Sequence, residues 1–127
     1  MPWDYFPDDE LKCKCGCNAA YMDANFMRKL TSLREAANFA FTLTSAYRCP
    51  IHNHSVSSTG MEGPHTTGRA VDIALYGGQA HWVLSNAGMH GMTGIGIKQK
   101  GDYSGRIIHL DDLENGRRQP RPWVWTY

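Results

Sequence analysis

Apolar residues recur at Phe26, Met27, Leu30, Leu33 and Ala37. This 3.6-residue period puts them on one face of a helix spanning residues 23–38, with Asp23 as its N-cap. Residues 39–45 (FAFTLTS) are aromatic and β-branched and predict a short strand. Residues 46–68 are rich in Pro, Ser, Thr, Gly, Asn and His and read as one long loop, a length that inside a compact domain signals function or disorder. In residues 70–75 (AVDIAL), Val71, Ile73 and Leu75 face one side of a strand, and Ala70, Asp72 and Ala74 face the other. A second helix is expected over residues 79–87, where Ala80, Val83, Leu84 and Ala87 form a stripe, with Gly88 or Gly91 ending it. Residues 94–98 and 106–111 read as strands joined by a turn containing Gly101, Asp102, Ser104 and Gly105. Trp123, Trp125 and Tyr127 alternate in a final strand whose aromatic face is expected to join the core.

This order predicts an α+β fold: two main helices packed on a small, mainly antiparallel sheet. The 127 residues fit one domain. Residues 1–21 read as a Cys-rich N-terminal arm, and residues 22–127 as the domain proper.

Composition narrows the function. The formal net charge of +1 gives no footprint for nucleic acid or a membrane surface. His52-Asn53-His54 spells the letters of a nuclease motif, but those letters name residues spread over a larger metal-binding unit, so no nucleic acid partner is expected. No apolar run of about 18 residues exists, so no membrane span is expected. The start, MPWDYFPDDELKCKCGC, lacks the basic and apolar segments of a secretory signal. Synthesis without a signal peptide is therefore expected, with a cytoplasmic location unless another route takes the protein out. A monomer is expected. Cys13, Cys15, Cys17 and Cys49 make an even count. The C-x-C-x-C spacing is tighter than that of most zinc knuckles. It leaves open a disulfide from Cys49 to the cluster, which is favoured, free thiols, or a second, structural metal.

Two segments carry chemistry. In His65-Thr-Thr-Gly-Arg-Ala-Val-Asp72, a loop histidine precedes a glycine turn and a strand that buries an aspartate. Such an aspartate is costly unless paired, hydrogen-bonded or bound to metal. In residues 106–111, His109 and Asp111 share a strand face with Ile107. Two imidazoles and a carboxylate leave a fourth position open, the arrangement of catalytic rather than structural zinc. His81 is expected on the surface. His90 is a lesser candidate for the cleft. Lys98, Lys100, Arg106, Arg117, Arg118 and Arg121 are expected to form a solvated face.

The chain resembles the zinc D-alanyl-D-alanine carboxypeptidase family, which includes L-alanyl-D-glutamate endopeptidases of phage lysins and shares its metal site with the hedgehog fold. The residues that carry the likeness are Ser45-Ala-Tyr-Arg48-Cys-Pro with Asn53, His65-x-x-Gly68-x-Ala70-x-Asp72-Ile, Gly94-Ile-Gly96-Ile, Ile108-His109-Leu-Asp111 and the aromatic end from Trp123 to Tyr127. The resemblance implies one zinc ion per chain, held by His65, Asp72 and His109 in a cleft on the sheet face. It implies peptidoglycan stem peptides as substrate. Compact size and the missing signal segment fit an enzyme acting on the bacterial wall, phage-released or virion-associated. Arg48 matches an arginine that stabilises a carbonyl oxyanion or binds a carboxylate, and Asn53 and His54 are expected on the substrate side with it. Several relatives place a glutamate three residues before the last histidine, where this chain has Arg106. Asp111 is the expected replacement as general base. A non-catalytic zinc module of the same fold is the alternative.

Overall fold

The computed structural model describes residues 3–127. A short helix, α1 (Asp8–Leu11), is followed by α2 (Ala24–Ala37), β1 (Leu43–Ser45), α3 (Pro50–Val56), β2 (Ala70–Ala74) and α4 (Gly77–Asn86). The chain closes with β3 (Gly94–Lys98), β4 (Ile107–Asp111) and β5 (Trp123–Thr126). The strands form one sheet in the order β1-β2-β4-β3-β5. Every pairing is antiparallel except β3 with β5, which is parallel. The α+β reading holds.

The Asp23 carboxylate accepts a hydrogen bond from the Phe26 N–H (2.9 Å) and caps α2 as expected. Phe26, Met27, Leu30 and Leu33 are fully buried, each contributing about 1.5–3 kcal/mol of apolar burial. They pack with Val83 of α4 against Val71, Ile73, Ile108 and Leu110, the apolar face of the sheet. Phe6 and Leu11, from the segment before residue 22, are buried in the same core, and Leu11 O accepts the Tyr47 N–H. The opposite face of the sheet is free to carry chemistry. Ser45, Asp72, His109, Gly96 and Trp125 lie in register across all five strands.

Three local expectations differ from the structure. The strand predicted over residues 39–45 is limited to Leu43–Ser45. Phe39 and Phe41 instead turn their rings inward, toward Trp82 and each other. The long loop contains α3 and a 3-10 turn, Pro64–Thr67. Pro50 sits at the first position of α3, where its missing N–H has no partner to lose, so a residue counted toward the loop composition starts a helix. The aromatic strand at the chain's end does not enter the core. Trp123 is 54% exposed and Tyr127 50% exposed, because β5 lies at the sheet edge with its rings beside the polar row.

Gly68 ends the 3-10 turn in the left-handed conformation (φ 74°), and a Cβ there would lie 1.9 Å from the Tyr21 carbonyl oxygen. That contact is with backbone, held by the Asp23 N–H bond to Gly68 O (2.9 Å). Gly68→Ala is therefore expected to lower stability by about 1–3 kcal/mol through strain and clash, measured by urea unfolding. An unchanged midpoint would mean that residues 21–23 yield freely.

Candidate metal centre

His65 stands on the 3-10 turn at the edge of the sheet, buried. Its Nδ1 lies 2.8 Å from Ala46 O. A carbonyl can only accept, so Nδ1 carries the proton and Nε2 presents a lone pair. That Nε2 is 3.3 Å from Asp72 Oδ1, and His109 Nδ1 lies 3.0 Å from the same oxygen. Two donors bound to zinc at about 2.0–2.1 Å with tetrahedral angles lie about 3.3 Å apart. The observed separations match that edge, and the three donor atoms all fall within 4.8 Å of one another. The three residues therefore fit a zinc ion, bound through His65 Nε2, His109 Nδ1 and an Asp72 oxygen.

Behind this triad, His109 Nε2 lies 2.8 Å from Asp111 Oδ2, and Asp111 is fully buried. Arg121 grips the same carboxylate with both arms of its guanidinium, Nε to Oδ1 (2.9 Å) and Nη2 to Oδ2 (2.8 Å). The Leu113 N–H also points at Oδ1 (3.4 Å). The expectation that Asp111 is the general base is thus corrected. Its oxygens are occupied and it has no exposure to the cleft; an acceptor at His109 Nε2 places a proton there, which would leave Nδ1 free to ligate a metal. A carboxylate behind a ligating histidine orients the ring and raises its basicity. Burial opposes the charge on Asp111, but the bonds from His109 and Arg121 outweigh it and bring the carboxyl down to about 2.

The fit over this clamp demands small residues on β3. A Cβ at Gly94 would lie 2.3 Å from Asp111 Oδ1, and one at Gly96 would lie 2.7 Å from the Trp125 ring. Asp112, the next residue, points to the other side, where Arg69 Nε and Lys29 Nζ each bind it at 2.8 Å.

The triad opens into a cleft of about 1030 Å³. Arg48 lines it, with Nη1 donating to Asn53 Oδ1 (2.8 Å) and Nη2 to Ser45 Oγ (3.0 Å), and Nη2 3.9 Å from Asp72 Oδ2. Asn53 is buried and gives its amide to Thr59 Oγ1 and the Gly60 carbonyl. It holds Arg48 and the 57–60 turn rather than substrate. His54 is exposed and is not among the residues lining the cleft. His90 Nδ1 pairs with Ser32 Oγ outside the cleft, and His81 is exposed. The Arg106 guanidinium folds back onto the Gly101 carbonyl and the Tyr103 ring.

Sequence reasoning missed the far wall. Lys98, Arg118, Arg121, Trp123, Trp125 and Tyr127 line the cleft, although the cations read as a solvated face and the aromatics as core. The Trp125 ring lies 5.0 Å from that of His109. Within the run Arg117-Arg118-Gln119-Pro120-Arg121, no local signal marks Arg121. Only the folded chain gives it a buried carboxylate, and its side chain is 6% exposed. Glu62 also lines the cleft, and no motif around it marks it in the sequence.

A family model described as Peptidase M15 matches residues 4–111. No curated protein and no solved structure matches the chain. The match stops before the aromatic wall of the cleft, which lies at residues 123–127.

Because Asp111 supports His109, Asp111→Asn is expected to weaken zinc affinity by about 10–100-fold, with activity falling alongside it. Metal titration and turnover at saturating zinc measure both. Intact affinity with turnover lost would restore Asp111 as the base.

Proposed function

The chain belongs to the peptidase M15 family of zinc metallopeptidases, and from that premise we propose that it cleaves an amide bond in peptidoglycan stem peptides to degrade the bacterial wall, as a phage lysin or tail-associated enzyme. The observation that supports this most is the pairing of the His65, Asp72 and His109 triad with a cleft that carries Arg48, Lys98 and Arg118. Stem peptides present free carboxylates, and guanidinium groups bind them through paired hydrogen bonds. The cleft volume, about 1030 Å³, is at the upper end of small-molecule sites and suits a peptide several residues long.

His65, Asp72 and His109 would hold a zinc ion whose Lewis acidity would polarise the scissile carbonyl and lower the pKa of water at the open position. The protein's own groups do the rest. Arg48, braced by Asn53 and Ser45, meets the carbonyl oxygen as it gains charge, or a neighbouring substrate carboxylate. Trp123 and Tyr127 offer flat apolar surface for the peptide or its attached sugar. The leaving amine needs a proton, and the attacking water must lose one. Of the carboxylates lining the cleft, Asp72 faces both imidazoles of the triad, which leaves Glu62 to carry that proton.

Mass spectrometry of muropeptides after digestion is expected to show a new peptide end, which also identifies the bond cut. Glu62→Gln should keep its zinc and lose about 100-fold or more in kcat, whereas Tyr127→Phe should keep most of it. Near-normal turnover in Glu62→Gln would remove Glu62 from the mechanism. Full zinc loading of the parent chain without any muropeptide product would instead support a non-catalytic wall-binding module, the reading that Arg106 in place of glutamate favours.

A further inference from the structure

A second group of metal-ligating side chains lies on the other flank of Arg48, and no residue of it lines the cleft. The Sγ atoms of Cys13 and Cys15 are 3.5 Å apart, and each is 3.7 Å from Cys49 Sγ. Cys17 completes the group, with all the sulfurs within 4.8 Å of one another. The favoured expectation of a disulfide is corrected here. A disulfide sets its sulfurs about 2.05 Å apart, and all four thiols are free. Four sulfurs about 2.3 Å from a tetrahedral zinc lie about 3.8 Å from each other, close to the spacings found.

The local chain is shaped to make this convergence. In a flat strand Cys13, Cys15 and Cys17 would stand about 7 Å apart along one face. Instead Gly16 takes a left-handed turn (φ 94°) with open space around it, and the Cys13 N–H closes the turn on the Ala19 carbonyl at 2.7 Å. Two backbone donors then point at sulfur, Cys49 N to Cys13 Sγ (3.3 Å) and His52 N to Cys49 Sγ (3.4 Å). Such N–H groups favour thiolate over thiol and orient a metal ligand. Cys13 is buried while Cys15 and Cys17 are exposed, so an ion can enter from solvent.

We propose that Cys13, Cys15, Cys17 and Cys49 bind a structural zinc ion through four thiolates, joining the N-terminal segment to the stretch that carries Arg48. Four protein ligands leave no open position, so this ion takes no part in hydrolysis. Its place is mechanical. Cys49 adjoins Arg48 and begins α3, whose Asn53 holds the Arg48 guanidinium. The site is independent of the peptidase reading and can fail without it.

The test is elemental analysis of the full chain with two double variants, together with cobalt substitution. About two zinc ions per parent chain are expected, and about one in both Cys15→Ser/Cys17→Ser and His65→Ala/His109→Ala. Cobalt replacement of the parent protein should give the intense sulfur-to-cobalt charge-transfer band of a thiolate site, retained in the histidine variant and lost in the cysteine variant. The cobalt spectrum of the parent chain does not depend on how either variant folds. One zinc per parent chain that vanishes in the histidine variant, or a cobalt form without the thiolate band, overturns the proposal. So does rapid alkylation of all four cysteines in the zinc-loaded native protein.

Discussion

The imidazole of His109 is held between two buried carboxylates, and much of the functional face follows from that clamp. Asp72 takes one ring nitrogen at 3.0 Å and Asp111 the other at 2.8 Å. Two carboxylates around one imidazole carry more negative charge than a single imidazolium can balance, and burial makes the excess costly. On one side Arg121 closes on Asp111 with a paired grip. On the other, Arg48 Nη2 lies 3.9 Å from Asp72, and a metal ion among His65, Asp72 and His109 would add positive charge there and require the ring nitrogen on the Asp72 side to be bare. The Asp111–Arg121 pair thus decides which nitrogen of His109 can ligate.

The backbone answers to the same constraint. The pair occupies the space above Gly94, and Trp125 the space above Gly96, so the strand beside His109 has no room for a side chain at either position. Arg121 also ties the segment after β4 to the sheet, and that segment leads directly into β5. The parallel edge strand and its aromatic wall are therefore positioned by the buried ion pair that orients the ligand. On the opposite side of the cleft, Arg48 depends on Asn53 in α3 and Ser45 in β1. Cys49, at the N-terminus of that helix, anchors it to the cysteine cluster. The two flanks of the cleft rest on different supports around one central sheet.

The sequence by itself determined the features that depend on local period and on short motifs. The α2 stripe, the alternation in β2, the glycines of β3 and the His65-to-Asp72 spacing each lie within a few residues, where backbone geometry dictates which side chains share a face. The nearness of His65 to Asp72 was legible for that reason, as was the placing of Asp111 on the His109 face, whereas joining His109 to the pair rested on the family resemblance. Tertiary structure decided the rest. Whether Asp111 points into solvent or into a buried guanidinium depends on Arg121, ten residues on and across a loop. Whether Trp123 and Tyr127 join the core or line a cleft depends on which edge of the sheet β5 takes. Whether four cysteines pair or converge around a common point depends on a turn at Gly16 and on Cys49, far along the chain. A pattern of residues reports which face a side chain takes, but its chemical role is set by the charge and space that other segments bring to that face.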